Sequence, residues 1–326
     1  MIKRTIQIFA LISGISIIVV MAAVSYSKWF NNVIAIVPSP YRYGDLYFFS
    51  NHPKFRINTS NQAKINKVKS QSNIRLTIIG DSYLNGISKD NLIAKNFDHI
   101  DWDYVPDTIP SFQSGKKNIL VIETTERYAR WRLKIRNLVG IGEKYIPPIN
   151  HEIKLNAEDN IQFLLTNFDF LLNLKEIKSL IYLKLFNRYD SRIAKPNGTE
   201  RLYLNETIEE SITSSSYSSI SEEEISEIVN NLNMVQQDVL KLGFEEVYLS
   251  IIPNAASIYN YNGKKYNHLI ERIQQHPNLK MTCINAYQLL SAPKDNVFHY
   301  SDSHWNSFGQ QLWIDEINKT ISAPKN

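Results

Sequence analysis

Residues 74–83 read IRLTIIGDSY, an apolar run that ends at Gly80-Asp81-Ser82. The apolar residues are typical of a buried strand, and the glycine and aspartate after them are typical of a turn. Two later runs, residues 118–123 and 246–252, have the same form. Each of the three predicted strands is followed by polar residues: Asp81-Ser82, Glu126-Arg127 and Asn254.

A helix is predicted between the second and third of these strands. Ser221 and Glu224 have the spacing of a capping box, and Gly243 provides a stop. An apolar stripe runs between them through Ile225, Ile228, Leu232, Val235, Val239 and Leu242. Strands that alternate with helices predict an α/β fold, in which helices cover a mostly parallel central sheet in three layers. Ligands bind such sheets at the carboxyl ends of the strands.

The rest of the chain divides more loosely. Residues 27–72 form an irregular approach segment, and residues 73–326 form the folded domain. Dense Leu, Ile and Phe predict helices over 157–189, with a break near Asn173. A serine-rich loop is predicted over 211–221, and a short helix near residues 309–314 closes the chain.

Composition excludes several classes of protein. The chain has 326 residues, 43% of them hydrophobic and 11% aromatic, which excludes global disorder. Its net charge of +4 excludes a generally basic nucleic-acid binder. One cysteine, Cys283, excludes a disulfide framework and a cysteine-rich zinc or iron–sulfur site. None of the seven histidines has metal-ligand spacing, and the sequence implies no metal and no cofactor.

The N-terminus contains a candidate membrane anchor. Residues 6–26 carry no charge, and as a helix they would span about 31 Å, close to a bilayer core. Lys3 and Arg4 precede the run, which predicts a single-pass protein with residues 1–5 in the cytoplasm. The remaining chain would then be periplasmic or extracellular. A cleaved signal peptide, with Ala23-Val24-Ser25 near the cleavage site, and a buried core helix are the alternatives.

Ser82 is a candidate nucleophile. A serine directly after a buried strand, at the start of a helical turn, exposes its hydroxyl over the edge of the sheet. Backbone N–H groups at the same turn suit a developing oxyanion. The alternative is structural, because Asp81 or Ser82 can simply cap the turn.

The stretch YSDSHWN, residues 300–306, provides a candidate base for that serine. Asp302 precedes His304 by two residues, a spacing that lets the carboxylate hold Nδ1–H while Nε2 faces a nucleophile. The alternative is a solvated loop with Trp305 packed into the core. If Ser82 and His304 act together, Ser82 Oγ should lie within about 4 Å of a His304 ring nitrogen.

These residues resemble the SGNH (GDSL-type) hydrolase superfamily. Asp302-Ser303-His304-Trp305-Asn306 is similar to the form found in alginate O-acetyltransferases and related enzymes of polysaccharide modification. Looser similarities lie at 43–47, 122–127 and 252–259, so that the resemblance spans about 42–315. It implies an SGNH-like fold with Ser82 as nucleophile, His304 as general base and Asp302 as its orienting carboxylate. The chain departs from these enzymes in having Ala255-Ala256 where a basic residue is expected, and in placing the serine before the Asp-x-His.

The resemblance also implies an oxyanion hole made by the Ser82 N–H with a glycine and an asparagine. Asn254 is the candidate asparagine, with a turn residue as the alternative, and Gly86 fits a helix or loop position better than a donor. Arg127 would bind the substrate or the oxyanion, unless it pairs with Glu123 or Glu126. Tyr259 either lines the cleft or packs, and Trp305 is a further candidate at the substrate site.

Three functions follow as expectations. The first is a membrane-anchored O-acetyltransferase that acts on a cell-surface or secreted polysaccharide and takes acetyl groups from a multispanning membrane partner. The second is a carbohydrate esterase that uses the same three residues with water as acceptor. The third is a non-catalytic glycan-binding or assembly protein. The first two require the Ser82 hydroxyl to be a working nucleophile, and the third does not.

Overall fold

The computed structural model describes residues 43–59, 64–102, 115–134, 169–194 and 201–323, together with residues 5, 12–16 and 19. Most of the predicted anchor, 6–26, lies outside the described residues, as does the predicted helical stretch 157–168. The helices that are described contain none with the length and hydropathy needed to cross a membrane. The anchor therefore stays a prediction.

The protein has an α/β fold built on a parallel sheet of five strands in the order β2-β1-β3-β4-β5. From β1 the chain moves outward to β2 and then returns past β1 to β3, so the direction of winding reverses between β1 and β3. A crevice opens at such a point, beyond the carboxyl ends of the two strands. The strands are β1 (Gln71–Gly80), β2 (Ala94–Asp101), β3 (Lys117–Thr125), β4 (Glu246–Ile252) and β5 (Thr282–Ile284).

Helices cover both faces of the sheet. Successive side chains of a strand point to opposite faces, so Ile78 and Ile79 of β1 belong to different apolar clusters. The cluster around Ile79 contains residues of α2, α4 and α6, and the cluster around Ile78 contains residues of α7 and α8. The helices are α1 (Asp45–Ser50), α2 (Glu126–Arg132), α3 (Asp169–Phe186), α4 (Glu222–Lys241), α5 (Ala255–Tyr259), α6 (Leu269–Gln274), α7 (Ala286–Ser291) and α8 (Ser307–Ser322).

The ends of α4 agree with the sequence signals. The Ser221 hydroxyl accepts a hydrogen bond from the Glu224 backbone N–H at 3.2 Å, as expected of an N-cap. Gly243 follows the last turn with a φ of +98°, a conformation that favours glycine. The predicted stripe is buried against the sheet from Ile225 to Val239, and its last member, Leu242, is partly buried.

Several elements differ from the sequence prediction. β2 and β5 were not predicted, because β2 is a polar edge strand and β5 has only three residues. α3 passes through Asn173 without the expected break, since this side chain is exposed and accepts a hydrogen bond from Arg56. The approach segment contains α1, and the closing helix α8 is longer than predicted, with 16 residues.

Candidate active site

Ser82 lies at the carboxyl end of β1, beside the point where the winding of the sheet reverses. It begins a single 3-10 turn, Ser82–Leu84, and its side chain is exposed. Asp81 caps this turn by accepting a hydrogen bond from the Tyr83 N–H at 3.1 Å. The capping role foreseen for Asp81 is therefore present, and it leaves the Ser82 hydroxyl free to face solvent.

The structure brings Ser82, His304 and Asp302 together. Ser82 Oγ lies 2.8 Å from His304 Nε2, within the distance expected from the sequence. On the other side of the imidazole, Nδ1 lies 2.6 Å from Asp302 Oδ1. With the proton on Nδ1, His304 donates to the carboxylate and accepts from the serine hydroxyl. This is the polarity that general-base activation of a serine requires.

Tyr83 and Trp305 hold two parts of the site together: the loop that carries Asp302 and His304, called here the histidine loop, and the turn Ser82–Leu84, called the serine turn. The Trp305 indole N–H donates to the Tyr83 carbonyl at 3.1 Å, and the Tyr83 hydroxyl donates to the Ser303 carbonyl. The Tyr83 ring also packs on the His304 imidazole, with centroids 4.8 Å apart. Trp305 is only 3% exposed, so it packs in the core and does not offer its ring to a substrate. Its role is to fix the position of the histidine loop relative to the serine turn.

Asp45 is a second carboxylate at the site, and it had not been identified as a site residue from the sequence. Its backbone N–H donates to Asp302 Oδ2 at 3.2 Å, and its side chain accepts from the Ser303 N–H at 2.7 Å and from the Ser303 hydroxyl. Gly44 makes this approach possible, because a Cβ there would lie 2.1 Å from the Ser301 carbonyl oxygen. No signal in the sequence pairs residue 45 with residue 302, apart from the loose similarity at 43–47.

The charges of the site favour a protonatable histidine beside an ionised aspartate. Burial alone would lower the pKa of His304, but the hydrogen bond and the charge of Asp302, helped by Asp45, raise it above its ordinary value. Burial works against the charge of Asp302 as well, yet the hydrogen bonds from His304 lower its pKa on balance. For Asp45, burial and the neighbouring Asp302 raise the pKa.

Asp45, Asp302 and His304 also place potential metal-ligating atoms within 4.8 Å of one another. Both carboxylates already accept hydrogen bonds on each oxygen, from Ser303, Leu46, His304 and the Asp45 backbone. A cation would have to displace these donors. The arrangement therefore suits the orientation of an imidazole better than the coordination of a metal.

A buried salt bridge on the inner side of the serine turn stabilises it. Arg132 Nη1 lies 2.9 Å from Asp81 Oδ2, and both side chains are nearly inaccessible to solvent. The Asp81 backbone N–H donates to Glu123 Oε2 at 2.9 Å. Asp81, the residue before Ser82, is thus fixed to β3 and α2 by two polar contacts.

Arg127 lies beside the site, with its guanidinium 4.9 Å from the centre of the Tyr128 ring. Glu123 and Glu126 use their carboxylates elsewhere, and the Arg127 guanidinium forms no ion pair with any residue that the structure describes. Among the residues that the structure describes, its buried Nε has no hydrogen-bond partner, and the side chain lines a cavity of about 420 Å³. Arg127 also borders a small recess that Tyr83 and Ser303 line. The alternative of a salt bridge with Glu123 or Glu126 is wrong, and the side chain is available for an anionic or oxyanionic group.

The other candidates lie farther from the chemistry. Asn254 lines the same recess as Arg127, but its side-chain amide donates to the Ser216 hydroxyl at 2.9 Å. Gly86 is exposed in the turn that follows Ser82–Leu84, with a φ of +86°. Tyr259 packs, because its hydroxyl accepts a hydrogen bond from the Val297 N–H at 2.9 Å and its ring lies against Arg201.

No family model matches this chain, and no curated protein or solved structure is significantly similar to it.

Proposed function

We propose that the protein is an O-acetyltransferase that carries an acetyl group on Ser82 and passes it to a hydroxyl group of a cell-surface or secreted polysaccharide. The observation that carries this proposal is the continuous chain of contacts from Ser82 through His304 to Asp302, at 2.8 and 2.6 Å, with the serine exposed. The resemblance to SGNH enzymes of polysaccharide modification favours transfer. In this proposal residues 6–26 anchor the enzyme, and a multispanning membrane protein supplies the acetyl group.

The reaction runs in two halves through one covalent intermediate. His304 Nε2 takes the proton of the Ser82 hydroxyl while Oγ attacks the acetyl carbonyl of the donor. The tetrahedral intermediate collapses to acetyl-Ser82, and the leaving group takes the proton from His304. A sugar hydroxyl then gives its proton to the same nitrogen and attacks the acetyl carbon. As the bond between the acetyl group and Oγ breaks, His304 returns this proton to Ser82. Asp302 keeps Nδ1 protonated and stabilises the imidazolium formed in each half.

The oxyanion needs donors that converge on the acetyl oxygen. The Ser82 N–H is the first of a 3-10 turn, where N–H groups have no partner inside the turn, and it lies at the attacking residue. Arg127 adds a positive charge next to Tyr83 and the serine turn. The cavity that Arg127 borders, with Tyr128 and Asn205 in its lining, offers aromatic and amide groups for a sugar. We assign the acceptor to this cavity.

An esterase that uses water as acceptor is the second candidate. It is favoured by the exposure of Ser82 and the half-exposure of His304, because solvent can reach an acetyl-Ser82 ester directly. The geometry of Ser82, His304 and Asp302 serves either acceptor. The distinction depends on whether a bound glycan hydroxyl competes with water.

The decisive test is to look for acetyl-Ser82. The full chain is incubated with an activated acetyl ester, quenched in acid and analysed by intact mass and peptide mapping. We expect one acetyl group on Ser82 in the wild type and none in Ser82→Ala. Ser291→Ala, at an exposed serine at the end of α7, is the matched control and should be acetylated like the wild type.

The fate of the adduct separates the candidate functions. Transfer to an added oligosaccharide, seen as acetylated glycan by mass spectrometry, supports the transferase. Release only to water, with native acceptor present, supports the esterase. A wild-type Ser82 that is never acetylated overturns both and leaves the non-catalytic binding protein.

A further inference from the structure

The helix α3 has an exposed apolar stripe. Its members recur every three or four residues, the spacing that aligns side chains on one face of a helix. All are exposed, and the side chains at both ends are 72% accessible. The stripe consists of Phe170, Leu174, Ile177, Ile181 and Leu185.

The opposite face of α3 is attached to the body of the protein. Glu176 accepts a hydrogen bond from the Tyr47 hydroxyl at 2.6 Å, and the Ser179 hydroxyl donates to the Ser50 carbonyl at 2.7 Å. With Leu172, which is fully buried, these residues define the inner face of the helix. At 100° per residue the stripe centres about 180° from them. α3 therefore presents its apolar residues outward, with α1 behind it.

Basic residues surround the stripe. By the same helical geometry Lys178 lies on one side of it and Lys184 on the other. Lys175, Lys178 and Arg188 also line a groove of about 590 Å³ between α3, α1 and the loop that follows α3. None of these three cations pairs with a carboxylate in the ranges that the structure describes, and Asp190 of the same groove pairs with Arg192. The groove thus has an unneutralised positive charge.

The pKa of Lys175 also reflects the positive charges that lie close together in the groove. Partial burial, together with the neighbouring Lys178, lowers the pKa of Lys175. An anionic group in the groove would relieve that repulsion. Tyr182 and Tyr189 lie in the same groove, and amphipathic rings of this kind are enriched where apolar and aqueous phases meet.

We propose that α3 lies flat on an anionic lipid surface, with the stripe in the acyl boundary and Lys178, Lys184 and Arg188 on the headgroup phosphates. An exposed apolar face can enter the interface of a bilayer, and lysines beside it can contact the phosphates of anionic headgroups. The chain length agrees: α1, on which α3 packs, begins 19 residues after the end of the predicted anchor, within reach of the same membrane. The lipid contact stands whether or not Ser82 carries an acetyl group.

The contact has a consequence for the site. α1 lies between α3 and the histidine loop, because Asp45 of α1 is hydrogen-bonded to Asp302 and Ser303. Packed helices are separated by about 8–10 Å, so a lipid-bound α3 holds the serine turn within a few helix diameters of the membrane. A donor that emerges from the bilayer would reach Ser82 without a long carrier.

The test uses site-directed spin labels on the full chain in phospholipid vesicles. In a Cys283→Ser background, single cysteines replace Ile181 and Leu185 of the stripe, and Leu240 on α4 as a matched exposed apolar control. Power saturation then compares accessibility to oxygen, which concentrates in lipid, with accessibility to a water-soluble nickel chelate. In vesicles of phosphatidylcholine with phosphatidylglycerol, we expect the stripe labels to gain oxygen accessibility and lose nickel accessibility. The control label should stay accessible to nickel.

Charge is tested separately. Lys178→Gln with Lys184→Gln, or vesicles of phosphatidylcholine alone, should return part of the nickel accessibility to the stripe labels. Stripe labels as accessible to nickel as the control would overturn the proposal. So would labels shielded from both reagents in vesicles and in detergent alike, because protein, from this chain or from a second copy, would then cover the stripe.

Discussion

His304 lies between one hydroxyl and two carboxylates, and this determines how activity should depend on pH. In the proposed reaction the serine can lose its proton only to a neutral imidazole, so we expect activity to rise as His304 deprotonates. Asp302, through its hydrogen bond and charge, and Asp45, through its charge, raise the pKa of His304 against the effect of burial. The acidic limb of the pH profile should therefore lie above the ordinary histidine value of about 6.5.

Asp45→Asn should move that limb to lower pH. The amide removes one negative charge near the imidazole but keeps an oxygen that can accept from the Ser303 N–H. The measurement is kcat/KM for a small acetyl ester between about pH 5 and 9, around the ordinary histidine value. Asp90→Asn removes a surface carboxylate that pairs with Lys67, and it should leave the limb in place. An unchanged limb in Asp45→Asn would show that the Asp45 charge does not reach His304.

The residues of the site differ in how far the sequence predicts them. Asp302 and His304 stand two apart, and Ser82 directly follows an apolar strand, so local patterns identify all three. Asp45 and Arg132 act through contacts with residues 257 and 51 positions away. Such pairings exist only once the sheet has brought its strand ends together, and one sequence has no pattern that encodes them.

At the level of the elements, the salt bridge from Arg132 of α2 to Asp81, which caps the serine turn, should contribute to stability. Arg132→Met leaves Asp81 as a buried charge without a partner, a change that typically costs about 3–5 kcal/mol. We expect a clear drop in the thermal unfolding temperature, followed by intrinsic fluorescence. Lys67→Met breaks an exposed ion pair with Asp90 and should change that temperature little. Equal effects of the two substitutions would contradict a structural role for the buried pair.

Glu126, the first residue of α2, should make the free energy of unfolding depend on pH. Burial raises its pKa from 4.5 to about 7, even though Ser257 and the Asn254 N–H donate to it. The folded state thus binds this proton more tightly than the unfolded state, so the stabilisation is complete below about pH 4.5 and is lost as pH rises through about 7. The loss amounts to about 3 kcal/mol at most.

Glu126→Gln should remove this dependence, because the amide stays neutral and keeps an oxygen for the same two donors. We expect the variant to gain unfolding temperature over the wild type at pH 8 and to gain little at pH 5. Glu227→Gln changes an exposed carboxylate on α4 and serves as the control. A gain that is the same at both pH values would mean that Glu126 does not titrate in this range.

Whether a strand or helix could be predicted depended on how strong its sequence pattern is. β1, β3 and β4 each contain a largely apolar stretch that is buried on both faces, and α4 has both caps and a stripe, so all four were predicted. β2 was not predicted, because this edge strand mixes charged with apolar residues and has no clear alternation. For α3 the apolar residues surround the helix, so periodicity could not indicate its outward face, and only its contacts with α1 did.

In the whole molecule, residues 43–59 are packed against the loop that carries Asp302 and His304. The Tyr47 N–H donates to the Ser301 carbonyl at 3.0 Å, next to the contacts between Asp45 and Asp302. Residues 43–59 therefore complete the site, although the sequence suggested only an approach segment there. The same segment connects the predicted anchor and α3 to the histidine loop.

Gly44→Ala tests whether this junction supports the site. A Cβ at residue 44 would meet the Ser301 carbonyl at 2.1 Å, so α1 must move off the loop and withdraw Asp45 from Asp302. Gly263→Ala is the matched control: both glycines have positive φ, at +93° and +67°, but a Cβ at residue 263 meets nothing within 4 Å. Both variants bear the backbone strain of about 1–2 kcal/mol, and only Gly44→Ala bears the clash. We therefore expect Gly44→Ala to unfold at the lower temperature and to form acetyl-Ser82 more slowly. Equal acetylation rates in the two variants would show that residues 43–59 are a tether and not part of the catalytic apparatus.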